Sequence, residues 1–192
     1  MSRINWDSVL TLPQGYRLRP ARSDDLKQLV ELLLASFYPA NRINRWLYPL
    51  MRTAIQEDVK RRLSSSSYRY GCLVVVHRPV APAAAPKIVG TVEISLRSQF
   101  WQPLQPRRPY IANVAIEPYH RRLGLAQQML LACESIGQDW GVRRLYLHVA
   151  TDNPSAIALY RKIGYQIYDQ GEPWRRRQMM VKELFVSAPR DP

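Results

Sequence analysis

The hydrophobic positions of this chain follow two different periods, and the alternation between them predicts its elements. Leu26, Leu29, Val30, Leu33 and Leu34 recur at helical spacing, which predicts a first helix over about 24–37. Ser23 stands at the N-cap position, and Asp24 and Asp25 supply first-turn carboxylates that suit the helix dipole. Before it, "YRLRPA" (Tyr16 to Ala21) reads as a short strand. After an aromatic and basic linker, "YPANRINRWLYP", a second helix is expected from about Leu50 to Leu63, ended by the serine run Ser64–Ser67. "YRYGCLVVVHR" (Tyr68 to Arg78) and "KIVGTVEISLR" (Lys87 to Arg97) are rich in β-branched residues and read as strands. "PVAPAAAP" between them and "FWQPLQPRRP" after them are too proline-rich for either element and read as loops.

The next segment, "YIANVAIEPYHRRLGLAQQML", is a buried strand over about 110–117 that passes through a basic turn into an amphipathic helix over about 122–139. "RRLYLHVA" (Arg143 to Ala150) is the following strand, so strand, helix and strand form a β-α-β crossover with parallel strands. "NPSAIALYRKIG" is a short helix with Pro154 at its first position and Gly164 as its C′ stop. "YQIYDQ" and "RQMMVKELF" close the chain as strands. The order β-α-α-β-β-β-α-β-α-β-β is that of an α/β protein, and 192 residues suit a single domain over 1–192 with its core over about 16–184.

An apolar fraction of 46% with 22% charged residues is ordinary for a globular chain; a net charge of +13 is not, and it points to an anionic ligand, an acidic partner or nucleic acid. Cys72 and Cys133 are too far apart in sequence to form a zinc pattern or a disulfide framework, which fits a reducing cytosol. The first twenty residues resemble neither a secretory signal nor a transit peptide, and no run approaches eighteen apolar residues. The expectation is a cytoplasmic protein with no membrane partner. His77 and His120 have no companions at metal-ligand spacing, so no metal is expected.

The basic turn carries the candidate chemistry. A helix leaving a strand presents unpaired N–H groups and the positive end of its dipole. Gly124 lets a backbone approach a ligand, Ala126 leaves room beside it, and Arg121 and Arg122 add charge where phosphates dock. Such a string arises by chance roughly 0.2 times in a chain of this length, so an ordinary solvated helix start accounts for it about as well on composition alone.

"NVAIEPYHRRLGLAQQML" followed by "LYLHVATDNPSAIALYRKIGY" resembles the GNAT superfamily of N-acetyltransferases, nearest to the bacterial ribosomal-protein and plastid protein N-acetyltransferases. The resemblance runs from about Tyr16 to Leu184. It implies a mixed central sheet of about seven strands with four helices packed on both faces, and acetyl-CoA as acetyl donor. It places Val114, Ala115 and Ile116 along the pantetheine arm and thioester. Arg121, Arg122, Leu123, Gly124, Leu125, Ala126 and Gln127 fall around the diphosphate, and Asn153 beside CoA at the start of the fourth helix. Tyr160 takes the position of the general acid. His148 stands where related ribosomal-protein acetyltransferases carry a glutamate base, a departure from the pattern, and Glu93 on the neighbouring strand is the rival base.

Direct transfer to nitrogen needs a neutral amine. At pH 7 a lysine of pKa about 10.4 gives up roughly 4.6 kcal/mol to deprotonation, an α-amine near 8 only about 1.4. The expected acceptors are therefore protein N-terminal amines first and lysines second, on a partner that is acidic or ribosome-associated. A small amine is the alternative acceptor, and a non-catalytic acetyl-CoA- or nucleic-acid-binding protein is the alternative class. Tyr38, Trp46, Tyr48 and Trp174 are candidate substrate walls.

Overall fold

In the computed structural model the described residues are 10–38, 47–64, 69–79, 85–97, 107–170 and 176–185. Among them lie strands β1 (Tyr16–Pro20), β2 (Tyr70–His77), β3 (Lys87–Arg97), β4 (Arg108–Ile116), β5 (Arg144–Ala150), β6 (Gln166–Asp169) and β7 (Arg177–Glu183). The helices are α1 (Leu26–Phe37), α2 (Tyr48–Leu63), α3 (Leu125–Asp139) and α4 (Pro154–Lys162). The strands form one seven-stranded mixed sheet in the order β1-β2-β3-β4-β5-β7-β6. The chain divides into two compact units, one of residues up to Glu93 with Asn113–Met129, the other of Ile94–Ala112 with the residues from Leu130 onward.

In the first unit β1 runs antiparallel to β2, from Tyr16 opposite His77 to Pro20 opposite Leu73. Leu29, Leu32 and Leu33 of α1 meet Val59 of α2, the Cys72, Val74 and Val76 face of β2, Ile88 of β3 and Ala115 of β4. Helix α2 is polar over most of its circumference, and Val59 is its one buried residue among those described. Its place therefore depends on a narrow apolar stripe, with Ile55 and Leu63 flanking Val59.

The start of α1 departs from the expected Ser23 cap. Ser23–Asp25 form a 3-10 turn and α1 proper begins at Leu26. The reason is Asp25, whose carboxylate accepts two hydrogen bonds from the Arg19 guanidinium (2.6 and 2.8 Å) and one from the Arg22 N–H (2.7 Å). A bidentate, charge-assisted pair at a nearly buried carboxylate outcompetes a serine hydroxyl for the turn. Other boundaries shift less. Helix α2 starts two residues before the expected Leu50, and α3 starts at Leu125 rather than 122 because Pro118–His120 and a turn intervene.

In the second unit β4 runs parallel to β5, Tyr110 opposite Tyr146 and Ile111 opposite Leu147. The parallel crossover expected from the sequence is thus present. Strand β7 covers the other edge of β5 along its whole length, from Arg144 opposite Glu183 to Ala150 opposite Arg177. Gly137 of α3 lets the helix close on Leu145, Val142 and Leu184, since a Cβ there would meet their side chains at 3.0–3.2 Å. Helix α4 ends in a Schellman motif: Tyr165 N–H bonds to Tyr160 C=O (2.9 Å) and Gly164 N–H to Arg161 C=O (3.0 Å). Gly164 holds φ +95° at the C′ position, as expected.

Burial raises the pKa of the Asp25 carboxyl, but the hydrogen bonds from Arg19 and the Arg22 N–H outweigh it and leave it below the usual carboxylate value. A lowered folded-state pKa stabilises the fold above about pH 4, the unfolded value, and the contribution is lost as pH falls through the folded value. Asp25→Asn should therefore destabilise the protein by about 2 kcal/mol at pH 7. The deficit should shrink progressively in urea melts below about pH 4.

Candidate active site

The first unit holds the basic turn. Arg122 sits at φ +65° and Gly124 at φ +76°, so left-handed residues stand on both sides of Leu123 immediately before α3. Left-handed residues ahead of a helix N-terminus are the kind of backbone that can receive an anion. Nothing lies within 4 Å of where a Gly124 Cβ would be. The glycine is therefore favoured by its backbone angle rather than by crowding, and open space lies beside it. The Gly124 carbonyl accepts from Gln128 N–H (3.1 Å), which starts the helix ladder. The N–H groups of the first turn, including Ala126 and Gln127, precede that ladder.

The two arginines of the turn differ. The Arg121 Nε folds back to donate to the Ile116 carbonyl (3.0 Å), tying the turn to the end of β4. Arg122 is exposed, as are Leu123 and Gly124, while Leu125 is buried as the anchor of the helix.

Glu93 of β3 is buried, 2% exposed. One carboxylate oxygen accepts from Arg62 at the end of α2 (2.5 Å), the other from the Asn113 side-chain amide (2.8 Å). Arg62 is held in turn by Asp58 one helical turn earlier (2.7 Å). Asn113 lies within β4 yet holds φ +53°. The next three residues are Val114, Ala115 and Ile116, of which Ala115 is buried in the core and the other two are half-buried. Neither Arg62 nor Asn113 was singled out from the sequence. An arginine near a helix C-terminus reads as solvated, and asparagine inside an apolar strand was the one available signal.

In the second unit Tyr160 lies on α4, 6% exposed, its ring 5.9 Å from that of Tyr165. Burial, and secondarily Tyr110, push its hydroxyl pKa up to about 12. The group is therefore a neutral proton donor throughout the ordinary pH range. His148 is exposed on β5, and its Nδ1 is 2.6 Å from the Tyr110 hydroxyl. Asn153 caps α4, its side-chain oxygen accepting the Ala156 N–H at 3.1 Å. Tyr38 is exposed and Tyr48 half-buried, whereas Trp46 and Trp174 lie outside the described residues.

Several of the basic residues have local partners. Arg144 pairs with Glu183 (2.8 Å), and the Arg108 guanidinium lies over the rings of Tyr146 (5.4 Å) and Tyr168 (5.7 Å). In the first unit His77 meets the Tyr16 ring at a tilt and His120 meets it edge-on, with the Tyr16 hydroxyl 2.8 Å from His120 Nδ1. Among the described residues no group of three or more His, Cys, Asp or Glu side chains is placed to hold a metal ion, and no helix is long and apolar enough to cross a membrane. Burial raises the Cys72 thiol to about 12, which leaves it an unreactive core residue.

The chain thus has a mixed seven-stranded sheet with a parallel β4-β5 pair, and comparisons with known proteins identify its family. Residues 27–165 match the model of the acetyltransferase (GNAT) family, so the chain belongs to that family. It is 22% identical over 192 residues to GCN5-related N-acetyltransferase 10, chloroplastic, of Arabidopsis thaliana, covering 92% of this chain and 75% of that protein. Matches to three further chloroplastic members of that Arabidopsis group span only 23% to 47% of those proteins' lengths. The fold is similar to that of the PaiA N-acetyltransferase from Thermoplasma acidophilum, solved in complex with coenzyme A. The TM-score is 0.67, with 15% identity and coverage of 88% of this chain and 99% of that one. It is also similar to the ribosomal-protein-S18-alanine N-acetyltransferase from Escherichia coli, with TM-score 0.58, 15% identity and coverage of 92% and 99%. The chain is an N-acetyltransferase of this family.

Asn153 has a structural duty whatever else it touches. Asn153→Ala should cost about 1 kcal/mol in a urea melt without ligand, and Asn153→Asp should keep most of that stability.

Proposed function

We propose that the chain transfers the acetyl group of acetyl-CoA directly to a protein amine, preferentially an N-terminal α-amine. The observation that carries the cofactor assignment is the left-handed pair Arg122 and Gly124 at the mouth of α3, with open space on the glycine side. The cradle fits a diphosphate by sign and by shape. Arg122 to Gln127 hold the diphosphate, and exposed Arg122 adds a mobile cation. Val114 to Ile116 present backbone groups to the pantetheine arm and thioester, where an N–H aimed at the carbonyl oxygen stabilises the charge that develops during attack. The group bound there supplies an activated acetyl thioester.

Tyr160 serves the departing sulfur. With its pKa near 12 it is roughly three orders of magnitude weaker as an acid than a thiol. It therefore acts chiefly by donating a hydrogen bond to developing thiolate charge, since outright proton loss from Tyr160 would be uphill. His148, with Tyr110 on its Nδ1, is the candidate for receiving or relaying the amine proton.

The acceptor assignment rests on three supports. The energetic arithmetic favours α-amines over lysines for a modest base. The Escherichia coli protein of similar fold is named for acetylating an alanine of a ribosomal protein, and the net charge of +13 suits an acidic or RNA-bound partner. A small polyamine would be repelled by this surface. Two buried thiols suit a reducing compartment, cytosol or plastid alike, and the Arabidopsis relatives are chloroplastic by name.

Tyr160→Phe should lower kcat at least tenfold on N-terminal peptides while leaving the Kd for acetyl-CoA within about threefold. The protonated tyrosine is the working form and is lost only as pH rises through about 12. The wild-type kcat/KM should accordingly climb with pH as the amine deprotonates, with no descending limb between pH 6 and 10. A fall in rate above pH 8 with the enzyme still folded would contradict this role. CoA binding without turnover on any peptide or small amine would replace the catalytic reading with a binding protein.

A further inference from the structure

We propose that Arg62, Glu93 and Asn113 form a clamp that holds β4 in its left-handed break, and that Glu93 is a positioning residue rather than the general base. This deepens the acetyl-transfer reading and rests on it in one respect, that Val114 to Ile116 face the thioester. The clamp itself stands on geometry within the first unit.

A non-glycine residue at φ +53° inside a strand is a local strain that persists only where the surroundings enforce it. Asparagine is among the residues that tolerate the conformation best. Here its side chain is also fastened, donating to Glu93 at 2.8 Å. Glu93 is in the interior of β3 with its side chain 3% exposed, so it cannot swing to a second position without abandoning its partners. Its other oxygen takes the Arg62 guanidinium at 2.5 Å, and Arg62 is pinned by Asp58 at 2.7 Å and by a bond from its Nε to the Asp58 carbonyl at 3.3 Å. The chain of contacts runs from the last turn of α2, through the sheet interior, to the one residue of β4 whose backbone departs from strand geometry.

Breaking a strand changes what its edge can do. Strand β4 lies between β3 and β5 in the sheet order, and its register with β5 runs from Tyr110 opposite Tyr146 to Ile111 opposite Leu147. The left-handed residue follows two positions later. Glu93 thus sets which way the following amide groups point. Both carboxylate oxygens of Glu93 are already engaged, one by the Arg62 guanidinium and the other by the Asn113 amide.

The test is a double-mutant cycle on Glu93 and Asn113, read by steady-state kinetics, CoA binding, and hydrogen exchange of the Val114–Ile116 amides in the protein without ligand. Asn113→Gly keeps the left-handed backbone without a side chain, so it should retain at least a third of wild-type kcat/KM. Asn113→Ala should lose at least tenfold, reversing the usual strand preference for alanine over glycine. Glu93→Gln should lose at least tenfold with an unchanged shape of the pH profile, and should cost less than twofold further in the Asn113→Gly background. Exchange at Val114–Ile116 should quicken at least threefold in Asn113→Ala and Glu93→Gln.

Losses for Glu93→Gln that are equal in both backgrounds, or a pH profile whose ascending limb disappears, would overturn the clamp in favour of a base. Unchanged exchange in every variant would overturn it as well. If the wild type transfers no acetyl group, the acetyl-transfer reading fails, while exchange and CoA binding still decide the clamp. Asn113→Gly guards against misfolding, since it leaves Glu93 and Arg62 paired.

Discussion

A strand inside a sheet has its hydrogen-bonding edges committed, and a strand that must also serve a ligand has to escape that commitment somewhere. In β4 the escape lies at Asn113, at φ +53° between the stretch that pairs with β5 and the stretch that ends at Ile116. The break is stable because its side chain is tied to buried Glu93, and Glu93 to Arg62. Removing a member of such a set leaves a buried charge or amide unpaired, which costs more than the net worth of any one bond. The arrangement therefore makes a strained backbone dependable enough to carry binding groups.

The same strand ends at the second specialised backbone. Its last carbonyl, at Ile116, receives Arg121, and the chain then turns through left-handed Arg122 and Gly124 into α3. Two local departures from regular geometry thus lie within a dozen residues of one another. The two adjacent arginines of the turn differ in what they do: Arg121 fastens the turn to the strand, and Arg122 stays in solvent. Some of the basic residues are engaged locally: Arg19, Arg62 and Arg144 make ion pairs and Arg108 covers two tyrosines, while the net charge of +13 already discounts every acidic partner.

Order and type of the elements were legible because each has a strong periodic or compositional signal, such as the leucine stripe of α1, the valine run of β2, or Pro154 and Gly164 around α4. The starts of α1 and α3 were not. At α1 a serine in the right place lost to Asp25, which a distant arginine on β1 had engaged, and no local rule contains that arginine. At α3 the 3-10 turn over Pro118–His120 consumed residues that the pattern assigned to the helix. Of the site, the cradle was visible as a glycine after a strand, and Tyr160 and Asn153 through the family resemblance. The Glu93 network was only half visible. Its acid was noticed as a base, but the partners that occupy it come from α2 and β4, thirty-one and twenty residues away in sequence.

The central claim is that two irregular backbone segments of the first unit, Val114–Ile116 and Arg122–Gln127, receive the acetyl donor. The most direct measurement is an amide-resolved NMR titration of the protein with CoA. The account predicts that the largest shift changes fall on these two segments. It further predicts that a pantetheine fragment lacking the diphosphate perturbs only the first. Changes concentrated elsewhere, with both segments silent at saturation, would contradict it.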